Sequence, residues 1–181
     1  MATVLMLSIL SGLLLAGFAA YADESAPSEY QVKAAFLYNF AKFVKWPESA
    51  FAQTNSPIKI GILGEDPFGG NLDLAIKGKT INGHPLSVIE LSSPDEMKNF
   101  QIIFVCRKPK RNLVATLAHL NNASVLTVSE TDDFLKAGGM IKFVMENARV
   151  RFEINDSAAT RSGLTISSKL LNVARKRESN D

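Results

Sequence analysis

The sequence is poor in the residues that carry most protein chemistry. Its 181 residues hold one cysteine, one tryptophan and two histidines. A single cysteine rules out an intramolecular disulfide, so packing alone must stabilise the fold. Cys106 closes the apolar run 102–106, where a lone thiol is usually a small buried hydrophobe. A reactive or intermolecularly paired thiol is the other reading. His84 and His119 lie far apart, and no Cys/His set has the spacing of zinc ligands. No Gly-x-Ser-x-Gly nucleophile elbow occurs. Neither charge sign dominates, with 20 Lys and Arg against 18 Asp and Glu. A net charge of +2 is too mild to call for nucleic acid or an anionic membrane. Together these gaps argue against catalysis, a metal centre, a cofactor and a nucleic-acid partner.

A long membrane-spanning run is also missing. Residues 4–20 are nearly all apolar, but that is seventeen residues where a span needs roughly twenty. The run ends in Ala20-Tyr21-Ala22, with Asp23 and Glu24 next. That is the small-x-small pattern of a cleaved export signal, although no Lys or Arg precedes the apolar stretch. No cysteine follows the cleavage pattern, so lipid attachment there is not expected. The expectation is a signal peptide over residues 1–22, a flexible start over 23–29, one domain over 30–174, and a frayed polar and basic tail over 175–181. The run Arg175-Lys176-Arg177 reads as a solvated helix end. About 159 residues remain after cleavage, enough for one self-supporting core.

What is present is alternation. Residues 30–44 carry Val32, Phe36, Phe40 and Phe43 at spacings of three and four, an amphipathic helix. Ala34, Ala35 and Leu37 widen its apolar stripe, and Trp46-Pro47 ends it. Residues 58–63, 86–91, 101–106 and 125–128 read as strands. Helical stretches fall over 71–77, 94–99, 112–120 and 132–136. Strands alternating with helices, some of them apolar throughout, predict an α/β three-layer sandwich whose mainly parallel sheet has helices on both faces. Residues 140–145 and 149–154 alternate apolar and polar, with Glu146-Asn147-Ala148 between them. They predict an antiparallel hairpin at one edge of the sheet. Asn155 or Asp156 can cap a following helix. The segment 167–174 closes the chain with Leu170, Leu171 and Ala174 inward.

Two sets of residues stand out. In parallel sheets ligands sit at the C-terminal ends of strands. That rule selects the turn holding Gly64, Asp66, Phe68 and Gly69, the strand ends Arg107-Lys108 and Ser129-Glu130, and the flexible pair Gly138-Gly139. The turn is not a phosphate loop, because Gly70 and Asn71 stand where Lys and Ser or Thr are needed. The candidate ligand residues are Gly64, Asp66, Phe68, Gly69, Ser129, Gly138 and Gly139. The second set is Arg151, Glu153 and Asn155, sharing one strand face, with Leu164, Ile166 and Leu170. These are candidates for partner binding; a cross-strand charge cluster and simple core closure are the alternatives.

The chain resembles the YfiR-like family of small periplasmic proteins. The resemblance rests on residues 32–47 (VKAAFLYNFAKFVKWP), 60–69 (IGILGEDPFG), 125–129 (VLTVS), 138–141 (GGMI), 151–155 (RFEIN) and 163–171 (GLTISSKLL). It implies a periplasmic regulator that binds the periplasmic domain of an inner-membrane diguanylate cyclase and holds it off. An outer-membrane-associated partner that sequesters the regulator is implied as well, and a homodimer is a further option. Members often carry disulfides; this chain has only Cys106, so control through paired cysteines is not implied here. The competing reading is a periplasmic small-molecule receptor.

Overall fold

The computed structural model describes residues 26–107, 112–120 and 123–175. The expected signal peptide, Lys108 and the tail beyond Arg175 lie outside them. The first element is α1 (Glu29–Phe43). Ser28 and Gln31 start it with a reciprocal capping box, which satisfies backbone donors that a helix N-terminus leaves open. Its most buried residues are Lys33, Ala34, Leu37, Phe40 and Ala41. The buried stripe is thus rotated from the expected one: Ala35 is exposed, and Val32, Phe36 and Phe43 flank the contact.

The chain continues into β1 (Val44–Lys45), β2 (Ile58–Leu63), α2 (Asn71–Ile76), β3 (Thr80–Ile81) and β4 (His84–Leu91). A 3-10 segment over Pro94–Asn99 leads to β5 (Ile102–Val105). Then come α3 (Leu113–Ala118), β6 (Leu126–Ser129), β7 (Ile141–Glu146) and β8 (Arg149–Ile154). The end is α4 (Asp156–Arg161), β9 (Thr165–Ile166) and α5 (Ser168–Val173). No described helix is long and apolar enough to cross a membrane.

Seven strands form one sheet in the order β3-β4-β2-β5-β6-β7-β8. The pairs from β4 through β7 are parallel, and the outermost pairs, β3 with β4 and β7 with β8, are antiparallel. This is the expected sheet with its hairpin at one edge. Asn147 and Ala148, both at positive φ, turn that hairpin in the manner of a tight two-residue loop whose twist suits antiparallel strands. A small second sheet, not foreseen, pairs β1 with β9 antiparallel.

Side chains alternate across the strands, and two apolar clusters result. On the first face Ile58, Ile60, Ile62, Phe104, Val128, Phe143 and Phe152 meet α1, α2, α4 and α5. There Phe40 packs on Phe143 and Phe152, with ring centroids 5.7 and 5.1 Å apart. On the second face Leu63, Leu91, Ile103 and Val105 meet Met97, Leu120, Phe134 and Leu135, with Leu113 and Leu117 of α3 partly buried beside them. Helices therefore cover both faces. Cys106 is buried within the first cluster.

Two local expectations change. Residues 132–136 form turns and no helix, because Asp133 adopts φ +58°, a left-handed conformation that cannot propagate an α-helix. In α5 only Leu170 is buried; Leu171 and Ala174 pack half-exposed against the core.

Candidate functional site

The five parallel strands run in the order second, first, third, fourth, fifth, counting β2 as first. Such a sheet has its topological switch point between the first and third strands, here β2 and β5, and ligands gather outside the strand ends there. In this protein an apolar plug stands at that point. Asp66 accepts a hydrogen bond from the Phe68 N–H at 2.8 Å, and this turn drops Phe68 inward. The ring packs edge-on against Phe104 at 4.9 Å and Tyr30 at 5.6 Å, with only 1% of the residue exposed.

The opening is displaced toward β6 and β7. It is a cleft of about 510 Å³ lined by Tyr30 and Lys33 of α1, Arg107, Glu130 and Asp132 at strand ends, and Phe143 to Met145 of the hairpin, with Glu29 and Arg175 at its margin. Its charged floor is built by Lys33. That side chain is only 3% exposed, yet it is ion-paired to both Glu29 and Glu130. Its ammonium also lies 4.6 Å from the centre of the Tyr30 ring, a favourable cation–π distance. The Tyr30 hydroxyl donates to Glu130 at 3.1 Å. Burial, then the nearby Glu130 carboxylate, push the Tyr30 hydroxyl up from 10.0 to about 12. Arg107 reaches the Glu130 carbonyl at 3.4 Å and Asp132 at 3.9 Å.

Beside this cleft lies a charge ladder on the hairpin. Glu153 pairs with Lys142 at 3.5 Å and with Arg175 at 3.2 Å. Glu146 pairs with Arg175 at 3.2 Å and Arg151 at 4.0 Å. Because β7 meets β6 only at Val128 and Ser129, the rest of the hairpin projects beyond the C-terminal edge of the sheet. It carries Met145, 52% exposed, and Arg151, with half its side chain in solvent.

The residues expected to bind a ligand are not brought together. Gly64 and Gly69 adopt positive φ, 120° and 54°, serving the turn. Ser129 is fully buried, its hydroxyl donating to the Val105 carbonyl at 2.7 Å and accepting from the Thr131 N–H at 3.1 Å. Gly138 turns the chain at φ +100°. Gly139 lies against the Phe134 ring, 2.3 Å from where a Cβ would stand. Phe134 belongs to the second face and Phe68 to the first, so the two glycine-bearing segments pack in different layers.

The partner-binding set divides similarly. Arg151 faces solvent and Glu153 is spent in the ladder. Asn155 caps α4, accepting from the Ala158 N–H at 3.2 Å and donating to the Leu135 carbonyl at 3.3 Å. Leu164, Ile166 and Leu170 are 3%, 6% and 3% exposed within the core, leaving them almost no surface to offer a partner. His84 donates from Nδ1 to the Ser56 carbonyl at 2.6 Å and stacks on Phe51. His119 contacts Asp95 at 2.8 Å. Among the described residues, no three His, Cys, Asp or Glu side chains are grouped to hold a metal ion.

Tyr30 and Lys33 went unnoticed in the sequence as site residues. The signal was there: Lys33 sits three residues after Tyr30 and four before Leu37, a charge inside an apolar stripe, which a helix tolerates only with a partner.

Residues 30–175 match the model of the DUF4154 family, described as YfiR/HmsC-like. Among solved structures, a conserved domain protein from Vibrio cholerae O1 biovar El Tor is similar in fold, with a TM-score of 0.52 at 12% identity. The match covers 81% of this chain, which spans 59% of that protein. No curated protein sequence matches.

Proposed function

Because the chain belongs to the YfiR/HmsC-like family, which its model matches over residues 30–175, we propose that it is a periplasmic regulator acting by direct contact on a membrane-bound diguanylate cyclase. The family match is the observation that carries the reading. It fits a chain whose two histidines are committed to ordinary structural contacts and whose expected export signal precedes the matched region. The regulator represses by binding one conformation of the cyclase's periplasmic domain better than another. A differential of about 2–3 kcal/mol changes the populations roughly 30- to 150-fold.

The contact surface is the projecting hairpin, in place of the buried leucines. Met145 supplies exposed apolar area and Arg151 a cation with half its side chain in solvent, a combination suited to an interface centre. Met145→Glu and Arg151→Glu should weaken capture of the periplasmic domain of a membrane diguanylate cyclase of the same organism, at unchanged melting temperature. Undiminished capture by both folded variants refutes this surface. A charge at Leu164 would instead disrupt folding and report nothing on binding.

A second reading, a small-molecule receptor, has the 510 Å³ cleft in its favour. A rise in melting temperature with amino acids, nucleotides or muropeptides supports it; no shift with any of them counts against it.

A further inference from the structure

The two edges of the main sheet are treated differently. At β8 the Arg175 N–H donates to the Phe152 carbonyl at 2.8 Å, and Arg149, Arg151 and Glu153 put charges along the strand. Charge and cover are how natural sheets keep an edge from pairing with another chain. At the opposite edge β3 covers β4 only at His84 and Pro85. Beyond Pro85 the strand runs Leu86-Ser87-Val88-Ile89-Glu90-Leu91 with one charge and no proline. Ile89 is 44% exposed there, and Leu74 on neighbouring α2 is 70% exposed.

The register says which groups are open. The Cys106 N–H donates to the Leu63 carbonyl, so Leu63 and Gly61 face β5, and Ile60 and Ile62 face β4. With Ile60 opposite Val88, parallel geometry turns Ser87 and Ile89 toward β2 and leaves the N–H and C=O of Val88 and Glu90 pointing outward.

We infer that this edge pairs with the same edge of a second copy, antiparallel about a two-fold axis at Ile89, joining two sheets into one. Val88 of each copy then exchanges both backbone hydrogen bonds with Glu90 of the other, about four bonds in all. Ile89 meets Ile89 across the axis, covering the apolar side chain that the monomer leaves in water. Charge is complementary as well. Glu90 shares the face of α2, since side chains two apart along a strand lie on one side. Opposite Val88 it enters the groove of about 620 Å³ lined by Leu86 and Val88, where the two cations of Lys77 and Lys79 outnumber the one carboxylate, Asp73. The same groove holds Leu74, which approaches its counterpart from the facing α2. Donors, acceptors, apolar contact and counter-charges are all supplied by one surface, as an isologous interface requires.

Sedimentation velocity on the mature chain over a micromolar concentration series should show a monomer–dimer equilibrium. Ile89→Lys should abolish the dimer while leaving the circular dichroism and melting temperature of the monomer unchanged. Ile89→Cys supplies a second, independent readout. Residues facing each other at a non-hydrogen-bonded antiparallel position have Cα atoms roughly 4.5 Å apart, within disulfide reach. Mild oxidation should therefore link Ile89→Cys into dimers and leave Val114→Cys, on α3 and more exposed than Ile89, monomeric. A wild-type chain monomeric throughout the series overturns the inference. So does a dimer that survives Ile89→Lys, or equal cross-linking of the two cysteine variants.

Discussion

Replacing Lys33 by methionine tests the charged floor of the cleft. The methionine keeps the volume and the apolar stem but removes the cation that joins α1 to the end of β6. The Lys33 side chain is 3% exposed, and its partners Glu130 and Glu29 are 19% and 42% exposed. Breaking a fully buried pair by removing one member costs about 3–5 kcal/mol. Here water still reaches Glu130, and the contact with Glu29 counts little at that exposure. The expected loss is therefore about 2–3 kcal/mol. For a domain of this size each kcal/mol moves the melting temperature by about 2–4 °C, so a fall of about 4–12 °C should follow in a thermal scan at pH 7. The diagnostic step is Lys33→Met with Glu130→Gln. With the stranded carboxylate neutralised, most of the loss should return. If Lys33→Met melts within about 1 °C of wild type, or if the double variant is no more stable than the single one, the reasoning fails.

Two further outcomes follow. Tyr30 is neutral in the fold to about pH 12 against an unfolded value of 10.0, so its contribution is complete below pH 10 and lost as pH rises from 10 toward 12. An absorbance titration of tyrosinate should show one group ionising near 12 that Tyr30→Phe removes; ionisation of Tyr30 near 10 contradicts the burial argument. Gly139→Ala places a methyl against the Phe134 ring and should cost about 1–3 kcal/mol as overpacking, read by urea unfolding; a loss below about 0.5 kcal/mol means the ring moves aside freely.

The sequence made the sheet legible where period and length agree. Residues 60–63 and 102–105 are apolar on both sides because helices cover both faces, and the alternation around Asn147 carries the hairpin. It hid features set by tertiary contact. The pairing of Val44 and Lys45 with Ile166 and Thr165 joins segments 120 residues apart through strands too short to show a period. The turn at Asp133 left no signature because a left-handed aspartate resembles a helix-start acid in sequence. The buried leucines after Gly163 resembled an exposed amphipathic end, since burial depends on α1 and the sheet arriving from elsewhere. Counting apolar residues also masked Lys33, whose partner Glu130 lies 97 residues away.

The most direct test of the central claim is the cyclic-di-GMP level of cells expressing a membrane diguanylate cyclase of the same organism that has a periplasmic domain, with and without this chain exported to the periplasm. Direct repression predicts a fall of up to roughly 30- to 150-fold, abolished when the cyclase lacks its periplasmic domain. An unchanged level, or an equal fall with the truncated cyclase, contradicts it.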